Sequence, residues 1–358
     1  MRILLTGAAG FIGSAIAERL VGAGHQVIGL DLLIPQAHPV RPETRPGMVI
    51  GDVRDRELVT ALLAGVDAVC HQAALVGMGV DLADTPDYMS HNVTGTATVL
   101  AAMAAAGTRT FVQASSMVVY GEGAYRCALH GPQPAGVRSA ADLEEGRYDH
   151  RCARCGRVLD WALVGEDASL RPRSMYAVSK LAQEQLAGVW AAGTGGRAVS
   201  LRYHNVYGPG MPRDTPYSGV AAMFRSALER GEPPVVFEDG CQQRDFVHVR
   251  DVAAANVAAL EAAHRGRPGD AAALNIASGR PRTVGELARI LARKMNGPQP
   301  RVVGGGRPGD VRHVVADPAR SRRLLDLPEP VDFDQGMAEF ATAPLRGPAG
   351  TPNPAPPR

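Results

Sequence analysis

The feature that most constrains the fold is a glycine-rich turn near the start of the chain. Before it, Arg2–Thr6 (RILLT) is a candidate buried strand, and after it Phe11–Ala23 carries apolar residues at helical spacing. The turn reads TGAAGFIG, with glycines at Gly7, Gly10 and Gly13. Glycines let the backbone approach a pyrophosphate closely, and the helix that follows offers free N–H groups and its positive dipole end. The pattern indicates dinucleotide binding, although its GxxGxxG spacing differs from the commoner GxGxxG.

Strand-like and helical segments alternate along the first third of the chain, and this order predicts the fold class. Candidate strands lie at Gln26–Leu30, Met48–Ile50, Ala68–His71 and Thr110–Ser115, with an alanine-rich candidate helix at Asp87–Ala106. Alternating strands and helices imply right-handed crossovers and a parallel sheet that helices cover on both faces. We therefore expect an α/β fold, with a doubly wound Rossmann sheet over 1–204.

The alternation breaks at 121–172, a stretch rich in Gly, Pro, Arg and Cys that predicts an insertion. It resumes with a candidate helix at Ser174–Ala191 and a candidate strand at Ala198–Tyr203. Further candidate elements lie at Tyr217–Arg230, Val235–Phe237, Val249–Ala263, Ala273–Ile276, Val284–Met295 and Pro318–Leu325. They predict a smaller α/β lobe over 205–345, interleaved with Rossmann elements. Residues 346–358 have too little apolar content to pack and predict a disordered tail.

Composition excludes several classes of protein. Lys+Arg 38 against Asp+Glu 36 leaves a net charge of +2, which gives no electrostatic case for a nucleic-acid or membrane-surface partner. No run approaches the ~20 apolar residues that span a bilayer. The short apolar run at the N-terminus meets Gly7 and lacks the features of a secretory signal. We therefore expect a cytoplasmic protein.

Two carboxylates follow candidate strands and bear on the choice of cofactor. Asp31 follows the second strand, where it can accept both hydroxyls of an adenosine ribose and repel a 2′-phosphate. No arginine stands beside it, so NAD is favoured over NADP. Asp52 and Val53 follow the third strand and are placed to cover the adenine edge. The alternative is that Asp31 and Asp52 are strand-end turn residues, but together with the glycines they favour a cofactor site.

A tyrosine, a lysine and a serine form a candidate catalytic set. Tyr176 and Lys180 (YAVSK) are four residues apart and share one helix face. A tyrosine has a pKa of ~10, and a nearby ammonium with a positive nicotinamide ring favours its phenolate as acid/base. Ser116 follows the fifth strand, at the sheet edge where ligands bind, and can bond the reacting oxygen of an alcohol or ketone. The alternatives are a chance Tyr/Lys pair and a serine that only caps the strand.

In this order the motifs resemble the extended short-chain dehydrogenase/reductase family. The branch they resemble is that of NAD-dependent nucleotide-sugar epimerases and dehydratases, typified by UDP-galactose 4-epimerase. The similar parts, over about 1–121 and 172–326, are TGAAGFIG, Asp31, SSMVVYG, YAVSK, LRYHNVYGPG and RDFVHVRDV. The resemblance implies that Ser116, Tyr176 and Lys180 are the catalytic triad, with Lys180 also bonding the nicotinamide ribose. The predicted cofactor-binding set is then Gly7, Gly10, Phe11, Ile12, Gly13, Asp31, Asp52, Val53, Asn92, Tyr176, Lys180, Tyr203 and Val206.

The resemblance also implies roles for individual residues of that set and of the substrate lobe. Asn92 would support the hydrogen-bond network of the active site, and Tyr203 and Val206 would hold the nicotinamide carboxamide. The implied substrate-binding residues are Ser116 and, on the diphosphate, Asn205, Arg244 and Arg307. Planar guanidinium groups suit bidentate phosphate binding, although each arginine alone is equally compatible with an ordinary surface position. The family further implies a homodimer through the Asp87–Ala106 and Tyr176–Ala191 helices.

The residues after Ser116 bear on which reaction is catalysed. Dehydratases of this family place Asp-Glu there, whereas this chain has Met117 and Val118, which cannot perform acid/base elimination. This favours an epimerase that inverts C4 of a UDP-hexose or UDP-uronate through a transient 4-keto sugar. The alternatives are a 4,6-dehydratase or dehydrogenase of the same family, a dTDP-sugar or other activated sugar as substrate, and a non-catalytic NAD-sensing regulator. Such regulators often lose the Tyr/Lys pair, which this chain keeps.

The insertion carries a candidate metal site. Cys127 and His130 form CxxH, and Cys152 and Cys155 form CxxC, which together have the spacing of a tetrahedral structural zinc site. The alternatives are unpaired cysteines, a Cys152–Cys155 redox pair, and a site that His150 completes in place of His130. Because the insertion joins the catalytic strand to the catalytic helix, we expect it to border the sugar pocket as a lid or wall.

Overall fold

A seven-stranded parallel sheet organises the molecule. The computed structural model describes residues 1–35, 37–38, 46–77, 81–213, 219–306 and 310–347. The strands are β1 (Arg2–Thr6), β2 (Gln26–Asp31), β3 (Met48–Ile50), β4 (Ala68–His71), β5 (Thr110–Ser116), β6 (Ala124–Cys127), β7 (Gly131–Gln133), β8 (Asp160–Ala162), β9 (Arg197–Tyr203), β10 (Asn205–Tyr207), β11 (Val235–Phe237), β12 (Gln243–Arg244), β13 (Phe246–His248), β14 (Ala271–Ile276), β15 (Arg282–Thr283) and β16 (Arg301–Gly304). The sheet has the order β14-β9-β5-β4-β1-β2-β3. The predicted parallel Rossmann sheet is confirmed.

Helices cover both faces of this sheet. They are α1 (Phe11–Gly22), α2 (Arg56–Leu62), α3 (Thr85–Tyr88), α4 (Gly95–Ala106), α5 (Ala140–Glu144), α6 (Met175–Thr194), α7 (Val220–Glu229), α8 (Val249–Arg265), α9 (Val284–Lys294), α10 (Ala319–Leu325) and α11 (Phe333–Thr342). The segment predicted as one helix, Asp87–Ala106, consists of α3 and α4 joined by a π-helical turn at Met89–Thr94. Among the described residues, no helix combines the length and apolarity needed to cross a membrane.

Two cores lie on opposite faces of the sheet because successive strand residues point to opposite sides. In β1, Ile3 and Leu5 pack into the core beneath α1 and α8, with Val252 of α8. Leu4 between them packs into the other core, with Val99 of α4. Burial on both faces explains why β1 is apolar throughout rather than alternating.

The smaller lobe is built from elements near the carboxyl edge of the sheet. Its two-stranded sheets pair β10 with β13, β11 with β16, and β12 with β15. Phe224 of α7, Leu287 and Leu291 of α9, and Phe340 of α11 share its core. Arg346, where the tail was predicted to begin, forms a parallel bridge with Pro212, whereas 348–358 lie outside the described residues.

The insertion has more regular structure than its sequence indicates. Strands β7, β6 and β8 form an antiparallel sheet, and α5 follows β7. Its core is small and consists of Tyr125, Cys127, Cys152 and Leu159. The strands are three or four residues long, so no period develops in the sequence and the pairing depends on tertiary contacts. A parallel bridge between Val164 and Ala316 ties the insertion to the C-terminal part of the chain.

Candidate active site

The glycine-rich turn has the geometry that a dinucleotide site requires. Gly7 follows β1 at φ +67, and a Cβ there would meet the backbone of Ala73 at 2.7 Å. A Cβ on Gly13 would lie 2.0 Å from the Gly7 carbonyl oxygen, so the helix packs on the turn without room for a side chain. Gly10 caps α1, and the first turn of that helix carries no acidic residue. The N–H groups of Phe11 and Ile12 at this helix start therefore suit an anion.

Asp31 lies beside this turn at the end of β2. Its carboxylate accepts hydrogen bonds from the Ala9 and Leu33 amides, each at 2.9 Å, and lies 3.5 Å from Nε2 of His38. Burial works to raise the pKa of Asp31, but the hydrogen bonds from His38 and the two amides outweigh burial and lower it. Asp31 is therefore an anion, as a ribose-binding carboxylate should be.

The second carboxylate, Asp52, carries a partner that the sequence analysis did not single out. Its side chain pairs with the Arg54 guanidinium, with Nε–Oδ distances of 3.0 and 2.9 Å. Partial burial works to raise the pKa of Asp52, but the bonds from Arg54 lower it. Arg54 also reaches Ser90 at 2.7 Å. Val53 is buried and would lie 2.9 Å from a Cβ on Gly95, so this edge of the sheet is closely packed.

The residues predicted as the catalytic triad come together at the carboxyl edge of the sheet. Ser116 ends β5, and its hydroxyl accepts a bond from the Val118 amide at 3.4 Å. Tyr176 and Lys180 lie in the first turns of α6, which Ser174 caps. Nζ of Lys180 lies 5.9 Å from the centre of the Tyr176 ring and donates to the Ala114 carbonyl at 3.0 Å. Phenol, ammonium and hydroxyl thus face one region.

Burial dominates the electrostatics of this set. Burial raises the pKa of Tyr176 above its usual value, while contact with the Ser116 hydroxyl works to lower it. Burial also lowers the pKa of Lys180 to about 7, against an opposing effect of Glu184. Phenolate formation, which the sequence analysis expected from the ammonium, is therefore opposed by the protein surroundings alone, because both charged forms lose hydration here.

Asn92 connects the loop after β4 to the catalytic helix. Its side chain accepts from the Leu75 amide at 2.7 Å and donates to the Leu75 carbonyl at 2.9 Å. It also donates to the Ser179 hydroxyl at 2.9 Å, one residue before Lys180. Asn92 is completely buried, so these bonds satisfy its amide and hold α6 at a fixed distance from the loop.

Tyr203 and Val206 flank the turn that leaves the sheet after β9. The Tyr203 hydroxyl lies 3.0 Å from both Gln72 and Asn256, beneath the sheet edge. Its side chain is thus part of the buried scaffold, and a cofactor would meet the backbone of this turn. Val206 lies in β10, where it pairs with Val247 of β13.

A buried ion pair beneath the catalytic strand was missed by the sequence analysis. Glu184 of α6 receives two bonds from Arg202 of β9, at 2.9 and 2.8 Å, and one from Ser115 at 2.5 Å. Both side chains of the ion pair are less than a tenth exposed. Glu184 lies one turn after Lys180, so the four-residue spacing that links Tyr176 to Lys180 could also have identified it.

Two of the three predicted diphosphate-binding residues lie in the smaller lobe, Asn205 on β10 and Arg244 on β12. Arg244 is half-buried, and its guanidinium donates to three carbonyls, those of Gln243 (2.8 Å), Arg312 (2.9 Å) and Val311 (2.6 Å). Within the described residues no carboxylate pairs with Arg244. Buried Oδ1 of Asn205 has no hydrogen-bond partner in the same part of the chain. Arg307 lies outside the described residues.

The four predicted metal ligands meet in the insertion. The ligand atoms of Cys127, His130, Cys152 and Cys155 all lie within 4.8 Å of one another. His150, the alternative ligand, is instead 3.2 Å from Glu122 and edge-on to Tyr125.

Comparisons with known proteins are consistent with this geometry. The family model described as "NAD dependent epimerase/dehydratase family" matches residues 3–134 and 162–277. A dTDP-L-rhamnose 4-epimerase of Burkholderia thailandensis is 34% identical over 351 residues, covering 95% of this chain and 94% of the relative. A UDP-glucose 4-epimerase of Mycolicibacterium smegmatis is 30% identical over 347 residues, covering 95% and 97%. The solved structure of MoeE5 with UDP-glucose and NAD superimposes with a TM-score of 0.75 at 29% identity, covering 95% and 97%.

Proposed function

The chain belongs to the NAD dependent epimerase/dehydratase family, and from this premise we propose that it is an NAD-dependent nucleotide-sugar 4-epimerase. The observation that carries the proposal is the meeting of Ser116, Tyr176 and Lys180 at the carboxyl edge of the sheet, the edge that also carries the glycine turn and Asp31. Met117 and Val118 follow Ser116, where a dehydratase would need acid/base groups. The 4-epimerases among the relatives support the same reaction.

The chain's own residues supply orientation and proton transfer. Tyr176 takes the proton from the sugar hydroxyl and later returns it, and Ser116 bonds the same oxygen so that it stays in reach. Because burial raises the pKa of Tyr176, the phenolate would depend on the positive charge of Lys180 together with that of the nicotinamide ring. The glycine turn and Asp31 would hold NAD, which would supply the hydride acceptor and donor for the sugar carbon.

The region around Arg244 and Asn205 suits the diphosphate of a nucleotide sugar. In the described part of the chain the half-buried Arg244 guanidinium bonds carbonyls and no carboxylate, and Oδ1 of Asn205 is buried without a partner. A guanidinium that no carboxylate pairs with suits an anionic group of a ligand. A UDP-hexose or UDP-uronate is the first candidate, and the dTDP-L-rhamnose 4-epimerase relative favours a dTDP-6-deoxyhexose as the second.

Incubation with a panel of nucleotide sugars tests the proposed reaction. We expect one C4-epimeric pair, of UDP-hexoses, UDP-uronates or dTDP-6-deoxyhexoses, to interconvert until equilibrium, with products resolved by chromatography. Tyr176→Phe should lower turnover about 10²–10⁴-fold, because the proton acceptor is lost, while bound NAD is retained. A stable 4-keto-6-deoxy product would instead identify a dehydratase. Tight NAD binding without any turnover would favour the regulator.

We further propose that Cys127, His130, Cys152 and Cys155 hold a structural zinc ion. Zn–S and Zn–N bonds of ~2.3 and ~2.05 Å in a tetrahedron place sulfur atoms ~3.8 Å apart and sulfur ~3.6 Å from nitrogen. Sγ of Cys127 lies 3.7 Å from Sγ of Cys155 and 3.6 Å from Nδ1 of His130. Sγ of Cys152 lies 3.4 Å from the same nitrogen. Four protein ligands leave no open position, so the ion would be structural.

Metal analysis tests the zinc proposal. Protein purified without chelator should contain one zinc ion per chain, and Cys152→Ser should lose it together with thermal stability. Cys241→Ser is the matched control, since Cys241 is an exposed cysteine outside the cluster. Wild-type protein free of zinc would remove the proposal.

Two further proposals concern the oligomeric state and the location of the protein. We propose a homodimer through α4 and α6, because Val178 and Val189 of α6 are exposed apolar residues, 38% and 75% exposed. Val189→Glu should then shift the mass measured by light scattering from dimer to monomer. We also propose a cytoplasmic location, because the zinc-binding thiols need a reducing compartment.

A further inference from the structure

We propose that the insertion is a positioning module for the nucleotide end of the substrate, and that its metal cluster keeps the module in shape. The inference rests on the proposed function in one respect, the assignment of Arg244 to the diphosphate. Three links carry it: carbonyls that orient Arg244, insertion residues that hold those carbonyls, and the cluster that joins the insertion residues.

The first link lies at Arg244. Its Nη1 and Nη2 atoms donate to the carbonyls of Arg312 and Val311 at 2.9 and 2.6 Å. The guanidinium is planar and rigid, so these bonds decide where its remaining N–H groups point. A shift of the 310–314 segment would therefore turn Arg244 away from an anion.

The second link holds the 310–314 segment. A carboxylate oxygen of Glu122 accepts the Arg312 amide at 3.0 Å, and the Tyr125 hydroxyl accepts the His313 amide, also at 3.0 Å. Arg138 donates to the Asp310 carbonyl at 2.6 Å. Glu122, Tyr125 and Arg138 all belong to the insertion. Without them the segment would lose hydrogen bonds at backbone groups that are buried.

The Arg312 side chain also holds the 310–314 segment in place through ion pairs. Its guanidinium is fully buried and bonds Asp149 of the insertion at 2.8 Å and Glu238 at 2.8 Å. Asp239 accepts two further bonds at 2.7 and 2.8 Å. These acids satisfy Arg312, whereas in the described part of the chain Arg244 bonds carbonyls and no carboxylate.

The third link is the metal cluster. Tyr125 lies two residues before Cys127 on β6, and Asp149 lies three residues before Cys152, so the two arms of the insertion that reach the 310–314 segment each carry cluster ligands. The four-residue core of the insertion is too small to hold both arms. An ion that binds both arms fixes them relative to each other.

Two conservative variants test the positioning role. Tyr125→Phe removes the bonds of the Tyr125 hydroxyl to His313, and Glu122→Gln weakens the bond to the Arg312 amide. For each variant we expect a KM for the nucleotide sugar about 5- to 10-fold higher with kcat within about twofold of wild type. The Kd for UDP or dTDP, measured by calorimetry without any sugar, should rise by the same factor. Arg126→Ala is the control, because Arg126 lies on the same strand with its side chain exposed, and should leave both constants unchanged.

Zinc removal by a chelator tests the metal link. Zinc removal should raise the Kd for UDP or dTDP while the NAD content of the protein stays constant. Unchanged nucleotide Kd in Tyr125→Phe, Glu122→Gln and the zinc-free protein would overturn the proposal, as would an equal loss of NAD, which would indicate general unfolding. If the enzyme turns over no sugar, the proposed function fails, yet calorimetry with UDP and dTDP still decides the positioning role.

Discussion

At the scale of single residues, burial sets the protonation of the catalytic pair. Lys180 is 2% exposed, and burial lowers its pKa to about 7, whereas an unfolded lysine has a pKa of ~10.4. The unfolded chain therefore binds more protons at this residue between pH 7 and pH 10. Over that window the contribution of Lys180 makes the free energy of unfolding rise with pH. Below pH 7 the buried lysine is protonated, and the full free-energy cost of burying its ammonium lowers the stability.

Lys180→Met should remove the free-energy cost of burying the Lys180 ammonium. At pH 6.5 we expect the variant to have a higher free energy of unfolding than wild type, by on the order of a few kcal/mol, and the difference should shrink as pH rises toward 10. Urea unfolding of both proteins at several pH values measures it, and the variant serves as reference for all other titrating groups. A difference that does not change with pH would contradict the lowered pKa.

Glycine substitutions test the turn at the same scale. Gly13→Ala places a Cβ 2.0 Å from the Gly7 carbonyl oxygen, so the turn must open and bound NAD should be lost. Gly22→Ala is the matched control in the same helix, because its Cβ would meet no atom within 4 Å, and it should be neutral or stabilising by up to about 1 kcal/mol. NAD content after purification and urea unfolding measure both effects. NAD retained at the wild-type level by Gly13→Ala would refute the geometric argument.

At the scale of elements, the Glu184–Arg202 pair fixes the catalytic helix to the catalytic strand. Glu184 belongs to α6, Arg202 to β9, and Ser115, which also bonds Glu184, precedes Ser116 on β5. The pair thus ties the element that carries Tyr176 and Lys180 to the strand that ends at Ser116. Its stabilising value lies in the mutual compensation of two buried charges.

Glu184→Gln should therefore destabilise the protein by about 3–5 kcal/mol, because Arg202 is left as an uncompensated buried charge. Urea unfolding measures the loss. Glu261→Gln is a suitable control, since Glu261 is 39% exposed and lies 3.3 Å from His25, and should cost less than about 1 kcal/mol. Equal effects of the two variants would contradict a special role for the Glu184–Arg202 pair.

At the scale of the whole molecule, Arg346, close to the last described residue, contacts the glycine-rich turn near the start of the chain. Arg346 donates to the Ala9 carbonyl and to the Ser14 hydroxyl, on either side of Gly10. The Arg346 amide also donates to the Met211 carbonyl at 3.0 Å, within the smaller lobe. Arg346 thus links the lobe to the cofactor turn, although it is distant from both in sequence.

Arg346→Ala should weaken NAD binding about 3- to 10-fold, because the turn loses two hydrogen bonds that restrain it. Calorimetric titration of NAD into cofactor-free protein measures the change. Arg323→Ala, on α10 in the last turn of a short helix, is the control and should leave the Kd unchanged. An unchanged Kd in Arg346→Ala would show that the contact does not reach the cofactor site.

Local patterns predicted the Rossmann part well for a physical reason. Burial on both faces makes β1 and β4 largely apolar runs, and β1, β3 and β4 have the predicted bounds. Some helices and strands of the structure were not predicted from the sequence. Helix α2 was not predicted, nor were β12 and β15, which have two residues each and are too short for a period to develop.

The sequence by itself determined the α/β class, the glycine turn with Asp31, the residues proposed as the triad and the four cluster residues of the insertion. Each depends on residues close together in the chain or on the common edge where parallel strands end. Only the tertiary structure decided that Glu184 compensates Arg202, that Glu122 and Tyr125 hold the 310–314 segment, and that Arg346 reaches Ala9. These contacts join single polar side chains across long sequence separations, and such pairs leave no periodic trace in the sequence because the folded core alone brings them together.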